Sequence, residues 1–188
     1  SHETRLVSLT AFHLLSVAVV GRFSAVHGWT TGTSNRAAGT SNVARILSVV
    51  NQKGGVGKTT TAVNLSAALA TAGLRTLLVD IDPQCNATGA VGAATAARHG
   101  LLDDRPLSDS VVTTTTENLS VIPGSRRLTD AAAMDNGDAT SLSRLRQQLD
   151  SVLDDYDFVL IDCPPSAGVM TETAMTASNE VLVPIQCE

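Results

Sequence analysis

The stretch Gln52-Lys53-Gly54-Gly55-Val56-Gly57-Lys58-Thr59-Thr60 carries the residue types that hold a polyphosphate. Glycines let backbone N–H groups converge on phosphate oxygens, a lysine supplies a point charge, and the hydroxyl after it can ligate magnesium. The ordinary phosphate loop reads G-x-x-x-x-G-K-[ST]. Counted back from Gly57-Lys58-Thr59, its first glycine falls at position 52, where this chain has Gln52, and Lys53 stands five residues ahead of Lys58. A loop that only binds a nucleotide needs one lysine. A second cation near a γ-phosphate would stabilise transition-state charge, as an arginine finger does. Its place at the start of the loop suggests an outward aim, toward the nucleotide of another subunit.

Carboxylates complete the chemistry. Lys58 would reach the β- and γ-phosphates, Thr59 would ligate Mg²⁺, and Thr60 is the next hydroxyl available. Magnesium keeps several waters, so one or two aspartates suffice. Three are candidates: Asp162, which ends the apolar run 158–161, and Asp80 and Asp82, which end the run 76–79. A carboxylate can also position the water that attacks a γ-phosphate. The alternative for Asp80 and Asp82 is an ordinary strand-end turn before Pro83, and for Lys53 a solvated loop lysine.

These residues need a scaffold, and the chain supplies its pattern. Residues 46–50, 76–80, 118–122, 158–162 and 181–185 are short apolar, β-branched runs of the kind that make buried parallel strands. Between them lie helical stretches. Ala62, Leu65, Ala68 and Leu69 recur at three and four residues, with Gly73 as a stop. Leu142, Leu145, Leu149 and Leu153 share one face of a helix over 141–153, with Arg144, Arg146 and Gln147 outside it. A short helix spans 171–178. Such alternation predicts an α/β fold with a mostly parallel twisted sheet, helices on both faces and right-handed crossovers. Ligands bind beyond the carboxyl ends of such strands, where the loop 52–60, Asp80, Asp82 and Asp162 all fall.

The chain of 188 residues suits one domain, 42–188, preceded by an extension over 1–41 read as variable or disordered. Residues 28–41 have a linker's Gly, Thr, Ser and Asn. The apolar run 9–20 is too short to span a bilayer, which takes ~20 residues. His2, His13 and His27 share no metal-ligand spacing, and a net charge of -5 argues against a generally basic nucleic-acid binder. Aromatics are 3% of the chain, so Ala, Val, Leu and Ile must build the core. Cys85, Cys163 and Cys187 are odd in number and far apart, which fits reduced thiols rather than a disulfide framework or zinc site.

Lys53 to Thr60 resembles the deviant Walker A loop of the ParA/MinD P-loop ATPases. Val50-Asn51-Gln52 leading in and Thr61-Ala62-Val63-Asn64-Leu65 leading out resemble the ParA/Soj partition branch. So do 78–88, 157–166 and 183–188, and the likeness runs from about Ala44 to Glu188. The resemblance implies an ATP hydrolase that dimerises with ATP. Lys53 would contact phosphate across the dimer interface, Lys58 would be the Walker lysine, and Thr59 the Mg²⁺ ligand. Asp82 would be the catalytic aspartate near the metal, Asp80 its support, and Asp162 the Walker B residue. It further implies a cytoplasmic, nucleoid-associated protein that binds DNA non-specifically as the ATP dimer. A ParB-like partner would stimulate hydrolysis, and no membrane would be involved.

Two departures from the family pattern stand out. Cys85 occupies a position where glycine is usual, with an expected limit on the flexibility of the Asp82 loop. The chain ends at Glu188, short of the family's length, which is expected to leave the last strand with an open edge and to remove DNA and adenine contacts. A membrane-surface positioning ATPase resembling MinD would carry a C-terminal amphipathic helix. An iron–sulfur relative would carry a cysteine pair, and a tyrosine kinase a tyrosine-rich tail, whereas Tyr156 is the one tyrosine here. A nucleotide binder without hydrolysis is the remaining alternative.

Overall fold

The computed structural model describes residues 16–21, 44–102, 106–130 and 139–186. The linker over 28–41, Cys187, and His2, His13 and His27 lie outside them. Among the described residues, seven strands form one sheet: β1 (Ser16–Gly21), β2 (Arg45–Val49), β3 (Thr76–Asp80), β4 (Val112–Thr113), β5 (Leu119–Ile122), β6 (Phe158–Asp162) and β7 (Glu180–Ile185). Their order is β1-β7-β2-β6-β3-β5-β4. The five inner strands run parallel, and β1 and β4 pair antiparallel at the two edges. The helices around it include α1 (Lys58–Thr71), α2 (Asn86–Ala90), α3 (Ala139–Leu149) and α4 (Val169–Ala177).

Side chains alternate across a strand, so one sheet builds two cores. Val49, Leu78, Val121, Leu160 and Leu182 pack with Ala62 and Ala70 of α1 and Ala87 of α2. Ile46, Leu77, Val79, Ile122, Val159 and Ile161 pack on the other face with Leu145 and Leu149 of α3 and Met170, Ala174 and Ala177 of α4. Every strand residue from Thr76 to Asp80 is buried, which is why these runs read as continuously apolar. The expected α/β fold with helices on both faces is the one observed. Helix α3 ends at Leu149, before the expected Leu153, which instead lies in a 3-10 turn.

The amino-terminal edge differs from expectation. Ser16–Gly21, within the segment read as an extension, pairs with β7 from Ser16–Ile185 to Gly21–Glu180. The edge expected to be open on β7 is therefore covered, and β1 is the edge instead. An apolar stretch too short to span a membrane but rich in valine suits a strand that borrows its hydrogen bonds from a neighbour. Among the described residues no helix is long and apolar enough to cross a membrane.

Candidate nucleotide and magnesium site

The parallel strands β2, β3 and β6 end side by side, which gathers the candidate residues. Val49 is in register with Asp162, and Asp162 with Asp80. Two-residue periodicity puts Asp162 on the same face as Leu160 and Asp80 on the same face as Leu78, the face that α1 and α2 cover.

The loop 51–57 turns from β2 into α1. Gly57 caps the helix at φ 86°, in left-handed space, with no side chain bonding the first-turn amides. A side chain at that φ would be strained, and a capping hydroxyl would compete for the N–H groups that an anion needs. The α1 amino end thus offers unpaired donors and the positive end of a helix dipole. Lys58 is buried, and its Nζ donates to the Lys53 carbonyl at 3.2 Å. Lys53 is exposed at the rim of the loop.

The start of the loop is pinned by Asn51. Its Oδ1 accepts the Lys53 N–H at 2.9 Å and its Nδ2 donates to the Pro184 carbonyl at 2.8 Å. Gln186 Nε2 donates to the Gly55 carbonyl at 3.4 Å. The loop is therefore tied to the end of β7 as well as to its own strand.

Asp162 is fully buried and neither carboxylate oxygen has a hydrogen bond of ordinary geometry. Burial raises its pKa to about 7, and Asp80 and Asp82 add to the rise. The Thr59 hydroxyl, close enough to draw it down, and the Lys58 ammonium oppose the rise. Orphaned carboxylate oxygens beside a hydroxyl and a lysine suit a hard cation, which replaces the missing donors with charge. The donor set fits Mg²⁺ held by Thr59, Asp162 and phosphate oxygens. Among the described residues no three His, Cys, Asp or Glu side chains cluster as a self-sufficient metal centre. Magnesium bound through substrate phosphates does not need one.

Asp80 and Asp82 separate into two environments. Asp80 is fully buried, and its Oδ2 accepts both the Thr88 N–H at 2.8 Å and the Thr88 hydroxyl at 2.6 Å. Its Oδ1 accepts the Asp82 N–H at 3.1 Å. Burial nonetheless raises its pKa, with those bonds opposing. Asp82 is 5% exposed, and its Oδ1 accepts the Gln84 N–H at 2.9 Å. Cys85 follows at φ 57°, so its side chain sits in the left-handed conformation glycine favours.

Sequence reading brought Lys53, Lys58, Thr59, Asp80, Asp82 and Asp162 to one end of the sheet, and the structure places them there. It missed Asn51 as a pin and Thr88 as the partner of Asp80. Thr88 lies eight residues past Asp80, and only the short α2 folds it back. It also missed His99, fully buried, whose Nδ1 accepts the Leu101 N–H at 3.1 Å. Burial lowers its pKa to about 4, the Asp80 backbone opposing.

Residues 44–188 match the family described as AAA domain. The chain is 47% identical over 149 residues to the sporulation initiation inhibitor protein Soj of Bacillus subtilis, covering 77% of this chain and 59% of that protein. It is 44% identical over 155 residues to the chromosome partitioning protein ParA of Myxococcus xanthus, covering 80% of this chain and 55% of that protein. It thus spans less than two thirds of the length of these relatives. Among solved structures, the cobyrinic acid a,c-diamide synthase of Mycobacterium smegmatis with bound ATP analogue and magnesium superposes with a TM-score of 0.72 at 41% identity, over 78% of this chain and 62% of that one. The chain belongs to the AAA-domain P-loop family that includes the ParA and Soj partition ATPases.

Proposed function

We propose that this chain is the nucleotide-binding part of a Mg²⁺-dependent ATPase that acts as an ATP-driven dimerisation switch in chromosome or plasmid partitioning. The observation that carries it is Asp162, buried with two orphaned oxygens beside Lys58 and Thr59, at the uncapped amino end of α1. Residues 54–60 would wrap the phosphates with backbone N–H groups, and Lys58 would leave the Lys53 carbonyl to pair with them. Thr59 and Asp162 would hold Mg²⁺, which supplies charge neutralisation on the phosphates when bound. Asp82, held by Gln84 but not enclosed as Asp80 is, would orient the attacking water near the metal. Asp80 would fix the backbone that presents it.

Lys53 is exposed and would contact phosphate across the dimer interface. A ParB-like partner and non-specific DNA belong to the whole protein in this reading. The Mycobacterium smegmatis neighbour carries the name of an amide-forming synthase. Greater identity to Soj favours partition. The test is sedimentation of the chain and its variants with Mg-ATP. Lys53→Ala should bind nucleotide as wild type yet lose the ATP dimer, and Asp82→Ala should keep the dimer and lose turnover. A Lys53→Ala chain that dimerises normally removes the cross-subunit role.

A further inference from the structure

We propose that Thr88 is a positioning residue: with Gly124 it forms a buried knot that clamps the Asp80–Cys85 turn and so sets Asp82. This rests on the reading of Asp82 as the residue that orients water.

Every polar atom of Thr88 is committed. Its N–H and hydroxyl both donate to Asp80 Oδ2, at 2.8 and 2.6 Å. Its Oγ1 accepts the Gly124 N–H at 2.8 Å, and its carbonyl accepts the Ala93 N–H at 3.1 Å. Gly124 in turn accepts the Ala96 N–H at 2.9 Å. The Thr88 hydroxyl therefore joins the end of β3 to the segment after β5, and the Thr88 and Gly124 carbonyls hold the 93–96 loop against them. Thr88 is fully buried, so water cannot replace any of these bonds.

Steric fit closes the same point. A Cβ on Gly124 would lie 3.0 Å from Asp80 Cγ, Asp80 Oδ2 and Cys85 Sγ. A larger residue there would have to push Asp80 or Cys85 aside by a few tenths of an ångström. Cys85 keeps its left-handed backbone while its N–H donates to the Asp82 carbonyl at 2.9 Å and its carbonyl accepts the Gly89 N–H at 3.1 Å. A strained residue persists where its surroundings over-determine it, and the bonds of Cys85 to Asp82 and Gly89, within the turn that Asp80 and Thr88 hold, supply that determination. The remaining link is direct: Asp80 Oδ1 holds the Asp82 N–H. Release of Thr88 frees Asp80, and a freed Asp80 releases Asp82.

Cys85 is 5% exposed, so its reaction with a thiol reagent reads opening of this turn without nucleotide. Thr88→Val keeps the shape and deletes the hydroxyl, while Thr88→Ser keeps the hydroxyl. Thiol labelling mapped to Cys85 should speed up about tenfold in Thr88→Val and return to the wild-type rate in Thr88→Ser. In the same variants Mg-ADP affinity and KM should hold at wild-type values while kcat falls in Thr88→Val alone. Unchanged Cys85 labelling in Thr88→Val overturns the knot, and faster labelling with wild-type kcat overturns the positioning role. Should Thr88→Val fail to fold, amide exchange in the unmodified chain decides. The Thr88 and Asp82 amides should exchange as slowly as those of β3, and exchange at open-loop rates overturns the proposal. A wild-type chain that does not bind Mg-ADP overturns the nucleotide reading instead, and leaves the labelling ratio to decide the knot.

Discussion

Asp162 and His99 pull the stability of the chain in opposite directions with pH. Burial raises Asp162 from 3.8 to about 7, so the native state holds a proton that the unfolded chain has lost. Stability from this group falls as pH rises from about 4 to about 7. Burial lowers His99 from 6.5 to about 4, so the unfolded chain binds the extra proton and stability falls as pH drops through that window. The two effects offset each other in wild type. Relative to the wild-type curve, Asp162→Asn should melt at temperatures that climb more steeply between pH 4.5 and 6.5, and His99→Gln less steeply, by a few degrees in each case. Parallel curves for all three proteins would show that neither group titrates as described. In the proposed reading a bound cation would relieve the cost of this uncompensated buried carboxylate. The lysines, hydroxyls and aspartates of the site were legible because a phosphate demands those types at fixed spacing. Thr88 and His99 were not legible, since threonine and histidine have many ordinary uses and only the folded chain shows what each touches.

The loop 51–57 behaves as an element with two anchors. Asn51 bonds Lys53 N–H on one side and Pro184 on the other, so the backbone at the first lysine is tied to a strand distant in sequence. Asn51→Ala should weaken Mg-nucleotide binding by about fivefold, the effect of about 1 kcal/mol for a lost hydrogen-bond bridge. Its fold should be unchanged, as read by thermal melting. Wild-type affinity would show that the loop is held without Asn51. The turn after β3 makes a second case. Cys85→Val should lower stability by about 2 kcal/mol, because a β-branched side chain resists φ 57° and the pocket against Gly124 is full. Denaturant unfolding would check this, and an unchanged midpoint would contradict the strain. The five parallel strands and the long helices were readable because buried strands show unbroken apolar runs and helices a three-to-four spacing. Helix α2 and strand β4 are too short to show any period, and each is held by bonds to a neighbouring strand.

At the scale of the molecule, the sheet closes its edges with antiparallel strands. Strand β1 covers β7, the strand whose end anchors the phosphate loop through Asn51. Sequence reading set residues 1–41 apart because composition there differs, and a single edge strand of six residues is a weak signal against a linker. Alternate residues of β1 point their N–H groups at β7. Replacing Ala18 and Val19 together by proline therefore removes a ladder bond whichever of the two faces inward. That variant should expose the β7 edge and self-associate at lower concentration, as measured by light scattering. Unchanged scattering would contradict the edge-covering role. The central claim concerns the other end of the sheet, where Lys58, Thr59 and Asp162 meet the amino end of α1. Calorimetric titration of Mg-ADP into the wild-type chain and Lys58→Ala tests it most directly. Saturable one-to-one binding that needs Mg²⁺ and vanishes in Lys58→Ala is the result this arrangement predicts. Binding of equal strength in both proteins would contradict it.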